Sequence, residues 1–179
     1  LVPQSLRFEG GIQQSKITLA DVASLMPAFR EFDDAVFVSS SFRGTSRSIS
    51  IPSLNLRTGS GSINLQARGS YNQAGNRPVW LADIANLNLT PAGVEFIAKN
   101  LGSKVRLPKE ITRLGTLHLA GKAKGYGNTL AARGNIDTDA GSMSLRGRKD
   151  GLRIQAHMET RGMDIGRILD NRQLGTVEA

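Results

Sequence analysis

The chain has 179 residues, of which 39% are apolar and 5% aromatic, with 23 Lys/Arg against 15 Asp/Glu for a net charge of +8. That composition is lean for a compact globule but well clear of disorder, and the length suits one domain or two small ones. With no cysteine, disulfides and thiolate metal sites are excluded; no apolar run is long enough to span a bilayer, and no signal peptide is present.

Taken along the chain, the first periodic signal runs from Leu19 to about Phe32. There Val22, Leu25, Met26 and Phe29 recur at i, i+3, i+4 and i+7, one face of a helix that Pro27 should kink or end. Asp33 and Asp34 follow and read as the solvated end of that helix. The period then changes to two. Ile49 and Ile51 alternate with serines, Pro52-Ser53 shifts the phase, and Leu54 and Leu56 carry it on. A phase change at proline fits an edge position or a bulge.

The stretch RTGSGSINLQARGSY, Arg57 to Tyr71, resembles a phosphate loop only in its Gly59 and Gly61. A phosphate loop needs Lys-Ser/Thr and then a helix. Here Ile63, Leu65 and Ala67 alternate with polar residues instead, so the glycines turn one strand back on the next.

From Thr90 to Leu101 a cleaner helix is expected: Thr90 as N-cap, Pro91 at the first helical position, Val94, Ile97 and Leu101 on one face, and Gly102 just past the end. Alternation resumes at Leu117-His118-Leu119-Ala120, at Met143-Ser144-Leu145 and from Leu152 to Met158, with Gly, Asn and Asp between the runs. From Met163 to Asp170, Ile165, Ile168 and Leu169 make one or two more helical turns. The helix starts recur about every 70 residues, the mark of a repeat architecture. The units read as 16–86, 87–158 and a partial 159–179, within a single repeat-built segment. The chain starts at Leu1 rather than Met and stops at LGTVEA, which reads like another strand opening. Both features read as a processed product or a fragment, with any membrane anchor outside it.

A search for catalytic constellations returns little. His118 and His157 sit on polar edges of alternating strands with no second ligand at metal spacing, and no serine lies in a G-x-S-x-G elbow. NIDTDAG matches the first positions of a calcium loop at Asn135, Asp137 and Asp139. It fails at Ala140 and Arg146, where the loop requires Gly and Glu. Asp137 and Asp139 read as outward-facing residues running into a turn. The expectation is a non-enzyme with no cofactor and no metal.

Charge is uneven. From Lys99 to Arg153 there are twelve Lys/Arg against four Asp/Glu, a local excess that matches the whole net charge. Such a field favours anionic partners or simply keeps an outer sheet face soluble. Single-strand nucleic-acid binding also needs exposed aromatics among the cations. The basic half offers only Phe96 and Tyr126, so nucleic acid is disfavoured.

The segments GNIDTDAGSMSLRGRKDG, LRIQAHMETRGMDIGRILDNRQLGTVEA and LNLTPAGVEFIAKNL resemble the bacterial AsmA-like superfamily, in particular its TamB-type translocation-and-assembly proteins. The motifs that carry the resemblance are the G-N-x-D-T-x-x-G turn at Gly134 to Gly141, the D-I-G-x-[IL]-L helix at Asp164 to Leu169, and the restart at Leu174-Gly175. The resemblance implies a long periplasmic protein anchored in the inner membrane, with β-repeats forming a curved or taco-like sheet around an apolar inner face. It also implies a part in outer-membrane biogenesis, through phospholipid transfer or assembly of outer-membrane proteins. Neither the anchor nor the family's C-terminal domain is in this sequence.

The fold class expected is therefore mainly β with minor α, built of repeated antiparallel strands interrupted by short amphipathic helices. Its apolar face must meet something: acyl chains in a groove, or a second layer in a closed core. The residues expected on that face are Ile49, Ile51, Ile63, Leu65, Trp80, Leu117, Leu119, Leu145 and Ile154. Partners expected are phospholipid acyl chains or outer-membrane protein strands. In a second reading the exposed strand edges bind partner strands as a scaffold.

Overall fold

The computed structural model describes residues 6–18, 34–73, 77–100, 109–171, 173 and 175–177. Nine strands form one open, curved antiparallel sheet in which each pairs with its chain neighbours. They are β1 (Arg7–Thr18), β2 (Ala35–Thr45), β3 (Ser48–Thr58), β4 (Ile63–Asn72), β5 (Val79–Leu89), β6 (Leu117–Tyr126), β7 (Thr129–Thr138), β8 (Gly141–Asp150) and β9 (Arg153–Arg161). Between β5 and β6 stand the helices α1 (Pro91–Asn100) and α2 (Lys109–Arg113). After β9 come β10 (Met163–Asp164), α3 (Ile165–Leu169) and β11 (Thr176–Val177), with β10 and β11 paired. The order from β2 onward is four strands, helices, four strands, helix. The helix expected over Leu19–Phe32 lies outside the described residues.

The connections sort to two edges. Ser46-Arg47, Gly127-Asn128 and Gly151-Leu152 reverse the chain in two residues, and with the β4–β5 connection they define a hairpin edge. Gly127 and Gly151 have φ of 56° and 59°, the positive values such reversals require. The turns over 59–62 and 139–140 and all three helices lie at the opposite, helical edge.

The helical edge is built twice on one plan. In the first unit Thr58 Oγ1 accepts the Ile63 N–H at 2.9 Å, and Thr90 N–H reaches Ser62 O at 3.0 Å. Thr90 Oγ1 in turn accepts the Gly93 N–H at 3.3 Å, the N-cap that the sequence predicts. In the second, Thr138 Oγ1 accepts the Ala140 N–H at 3.1 Å, and Asp164 N–H reaches Ala140 O at 2.7 Å. Asp164 caps α3 by accepting the Arg167 N–H at 2.9 Å. In each case a strand-end threonine closes a turn, and that turn holds the N-cap residue of a helix.

Asp34 corrects the sequence reading. Its carboxylate does more than face solvent: it accepts the N–H and hydroxyl of Ser60, fastening the start of β2 to the β3–β4 turn. Asp33 lies outside the described residues. The buried apolar residues Val36, Ile63, Val94, Ala98, Ala140 and Met163 all lie at this edge. The core is thus a strip under the helices, and the rest of the sheet is a single layer. The chain exposes 12,692 Å², where a compact monomer of its 19.2 kDa would expose about 8,400 Å².

Thr58 is 1% exposed and its hydroxyl is the hub of the first junction. Thr58→Val keeps the shape but leaves the Ile63 N–H without its side-chain acceptor. Urea unfolding should show a loss of about 1–3 kcal/mol with an unchanged denaturant slope.

Candidate functional site

Residues directly opposite one another in paired strands share a face, so the register sorts every strand side chain. Of the rows that run across the apolar face, perpendicular to the strands, three bound the open region, and a fourth, Ala67, Ile84, Gly121, Gly134, Leu145 and Met158, lies beside the small-residue one. On the helical side Leu56, Leu65, Leu87, Leu119, Ile136 and Met143 oppose one another in sequence. On the hairpin side the row is Ile49, Tyr71, Trp80, Gly125 and Leu130, then Lys149 and Ile154. Between them runs a row of small residues: Gly69, Ala82, Ala123, Ala132, Gly147 and Ala156.

Bulky walls beside a floor of Gly and Ala make a trough. Six strands at about 4.8 Å spacing give it a length of roughly 24 Å. Where Gly121 faces Gly134, next to the small row, it holds a hollow of about 360 Å³ lined by Ile84, Leu119, Ile136 and Leu145, among others. The two glycines are needed there. A Cβ on Gly121 would stand 2.7 Å from Arg133 O, and one on Gly134 3.0 Å from Ala120 O. On the hairpin side the Trp80 ring lies over Gly125, where any Cβ would collide with the indole.

All nine residues expected from the sequence fall on this one face. Ile63 is only 8% exposed and packs beneath the helices, so it serves the core and not the open trough. Ile49, Leu145 and Ile154 stand exposed. Among the described residues no second layer covers the face beyond the helical edge. The floor itself escaped the sequence reading. Its signal was the alternation of Gly and Ala with Lys and Arg in LAGKAKGY and LAARG, where only large apolar residues were counted.

The opposite face is polar. Asp83 is 7% exposed, clasped by Arg68 at 2.7 Å and Lys122 at 3.1 Å. The hydrogen bond from Arg68, and after it that from Lys122, holds this carboxyl below the usual carboxylate range. At Asp34 burial acts to raise the pKa, but the hydrogen bonds from Ser60 and the neighbouring backbone outweigh it and the net direction is down. His118 contacts Asn88, and His157 lies 3.1 Å from Glu159, both on exposed strand positions. Asn135 and Asp137 are paired within β7, while Asp139 accepts the Thr116 N–H and faces Arg167. These residues are held as strand and turn, not as a cation loop. Among the described residues no three His, Asp or Glu side chains gather as a metal site would require.

The trough floor offers no polar side chain, and its backbone groups are engaged in the strand ladders. What it can do chemically is bury apolar surface, at about 25 cal/mol per Å². Compared with protein-family models, with curated proteins and with solved structures, the chain gave no match.

Among the lowered carboxyls, Asp34 and Asp83 set an acid dependence. Their contribution to stability is full above the ordinary carboxylate value of about 4 and is lost as pH falls through the lower native values. Asp83→Asn should flatten that acid limb in thermal melts taken from pH 6 to pH 2, while lowering the melting temperature at neutral pH.

Proposed function

We propose that this chain is a non-enzymatic segment of an AsmA/TamB-like envelope protein, periplasmic and carried by an inner-membrane-anchored whole, that gives phospholipid acyl chains an apolar path. The observation that carries this reading is the trough, an uncovered apolar channel across the sheet without a polar side chain on its floor. An extended polypeptide lying there would leave its own backbone N–H and C=O groups unpaired, at a cost of roughly 1–3 kcal/mol each. An acyl chain has none to satisfy. Each leaflet's chains occupy about 15 Å of the roughly 30 Å bilayer core, so one fits lengthwise in the trough. Every CH₂ buried contributes about 0.8 kcal/mol. Passage is passive: the hydrocarbon slides along a uniform floor, and no bond is made or broken. The sequence resemblance to the AsmA-like superfamily supports the same assignment.

A second reading has its own observation. The sheet is open at β1 and β9, and eight of the nine residues of β9 are exposed. That edge could receive a strand of an outer-membrane protein by augmentation, which makes the segment an assembly scaffold.

Native mass spectrometry of the purified chain decides between them. The trough reading predicts copurifying phospholipid in the wild type. It also predicts at least tenfold less in Ala132→Glu and Leu145→Glu, two exposed positions where circular dichroism should show an unchanged fold. A folded wild type without lipid would overturn the trough reading, and binding of β-strand peptides abolished by Gln155→Pro would favour the scaffold.

A further inference from the structure

The two edges of the sheet differ in charge and in apolar exposure. Along the hairpin edge Arg7, Arg43, Arg47 and Arg77 stand on the first five strands and their turns, and Lys124, Arg148, Lys149 and Arg153 on the last four. Among the described residues only Glu9 and Asp150 oppose them there. At the helical edge the carboxylates of Asp34, Asp137, Asp139, Glu159, Glu95, Glu110, Asp164 and Asp170 stand among the cations Lys16, Arg57, Arg113, Arg161 and Arg167, with Arg113 paired to Asp170 and Arg167 to Asp139. The hairpin edge is therefore strongly basic while the helical edge is mixed, although the chain's charge excess is not organised that way along the sequence.

The basic edge is also the apolar one. Leu152 at the tip of the β8–β9 turn is fully exposed, Ile154 beside it is 71% exposed, and Tyr126 is 53% exposed with Arg77 5.9 Å from its ring centroid. Tyr71 and Trp80 pair across β4 and β5 at the same level. Lys149, paired with Leu130 and Ile154, is the one charged residue on the apolar face among the described strands, and it stands at this edge.

We infer that the hairpin edge is a docking surface for a bilayer rich in anionic phospholipid. Cations along a rim meet the negative surface potential of such a bilayer, and the exposed Leu and Ile enter the boundary between headgroups and acyl chains. Tyr and Trp rings suit that interface because one end is apolar and the other wet. A nucleic-acid surface would use the cations but give Leu152 and Ile154 nothing to enter. The helical edge, where cations and carboxylates are mixed, offers no comparable field, so the hairpin edge is the one that meets the membrane. The docking surface stands on the edge residues alone and does not depend on the trough holding lipid.

The test is cosedimentation with vesicles of phosphatidylcholine containing one quarter phosphatidylglycerol, beside vesicles of phosphatidylcholine alone. The wild type should pellet with the anionic vesicles and not with the neutral ones. The double variant Arg47→Glu, Arg153→Glu should bind about tenfold more weakly or worse, and Leu152→Asp should also weaken binding. An equal change of net charge placed off the edge, Arg133→Glu with Arg161→Glu, should leave most of the binding. Native mass spectrometry of the same proteins reads the trough separately, and the edge variants should keep whatever lipid the wild type carries. Equal pelleting with both vesicle types overturns the inference, as does a loss with the off-edge pair matching that of the edge pair. Displacement of the vesicles by duplex DNA at equal phosphate also overturns it.

Discussion

Everything this sheet presents depends on phase. A strand shifted by one residue turns its apolar set to the other side, so nine strands share one apolar face only if each is corrected wherever its alternation slips. The corrections are the bulges. At Pro52-Ser53 the register of β3 slips against both neighbours, so Ile51 and Leu54 face the same way although three residues apart. At Ala85-Asn86 in β5 the same device returns Ile84 and Leu87 to one side. Bulges bend a strand and strengthen its twist. These two therefore keep the apolar side chains together and curve the sheet around them.

A single layer with one apolar face would be expected to collapse or to find a partner. The helical edge shows how far this chain goes towards covering its own face. The repeated junctions, Thr58 with Thr90 and Thr138 with Asp164, seat the helices over one end of the strands and bury six apolar residues there. Beyond that strip the structure keeps the floor low with Gly and Ala instead of filling it. Large side chains throughout would have made a face fit for a second sheet; the small row makes a channel. The polar face stabilises the layer from behind, with Asp83 held between Arg68 and Lys122, while Lys122, Arg133 and Arg146 stand opposite one another without intervening carboxylates.

Much of this was legible in the sequence because it rests on local rules. Alternation located β3, β4, β6, β8 and β9, Pro52 announced a bulge, Gly59 and Gly61 marked a turn, and Thr90-Pro91 marked the start of a helix. The nine apolar residues chosen by period lie on one face for the same reason. What escaped depends on pairing. Ile63 looks like Ile49 in sequence, yet one is under α1 and the other open, a difference set by where Gly93 meets the 59–62 turn. Asp34 was read against its chain neighbours, whereas its partner Ser60 belongs to another turn. The small-residue row is invisible in any one strand, since two or three Ala or Gly become a channel only when six strands align them. The charge difference between edges is hidden likewise, because antiparallel strands bring residues from opposite ends of successive segments to the same edge.

The central claim is that the trough is open and takes hydrocarbon. The most direct measurement is photo-crosslinking with a phospholipid bearing a diazirine near the middle of one acyl chain, followed by peptide mapping. The account predicts adducts on the floor and its helical-side wall, at Ala123, Ala132, Leu145 and Ala156, and none on polar-face neighbours such as Arg133, Arg146 and His157. Adducts spread equally over both faces, or confined to the polar face, would contradict it.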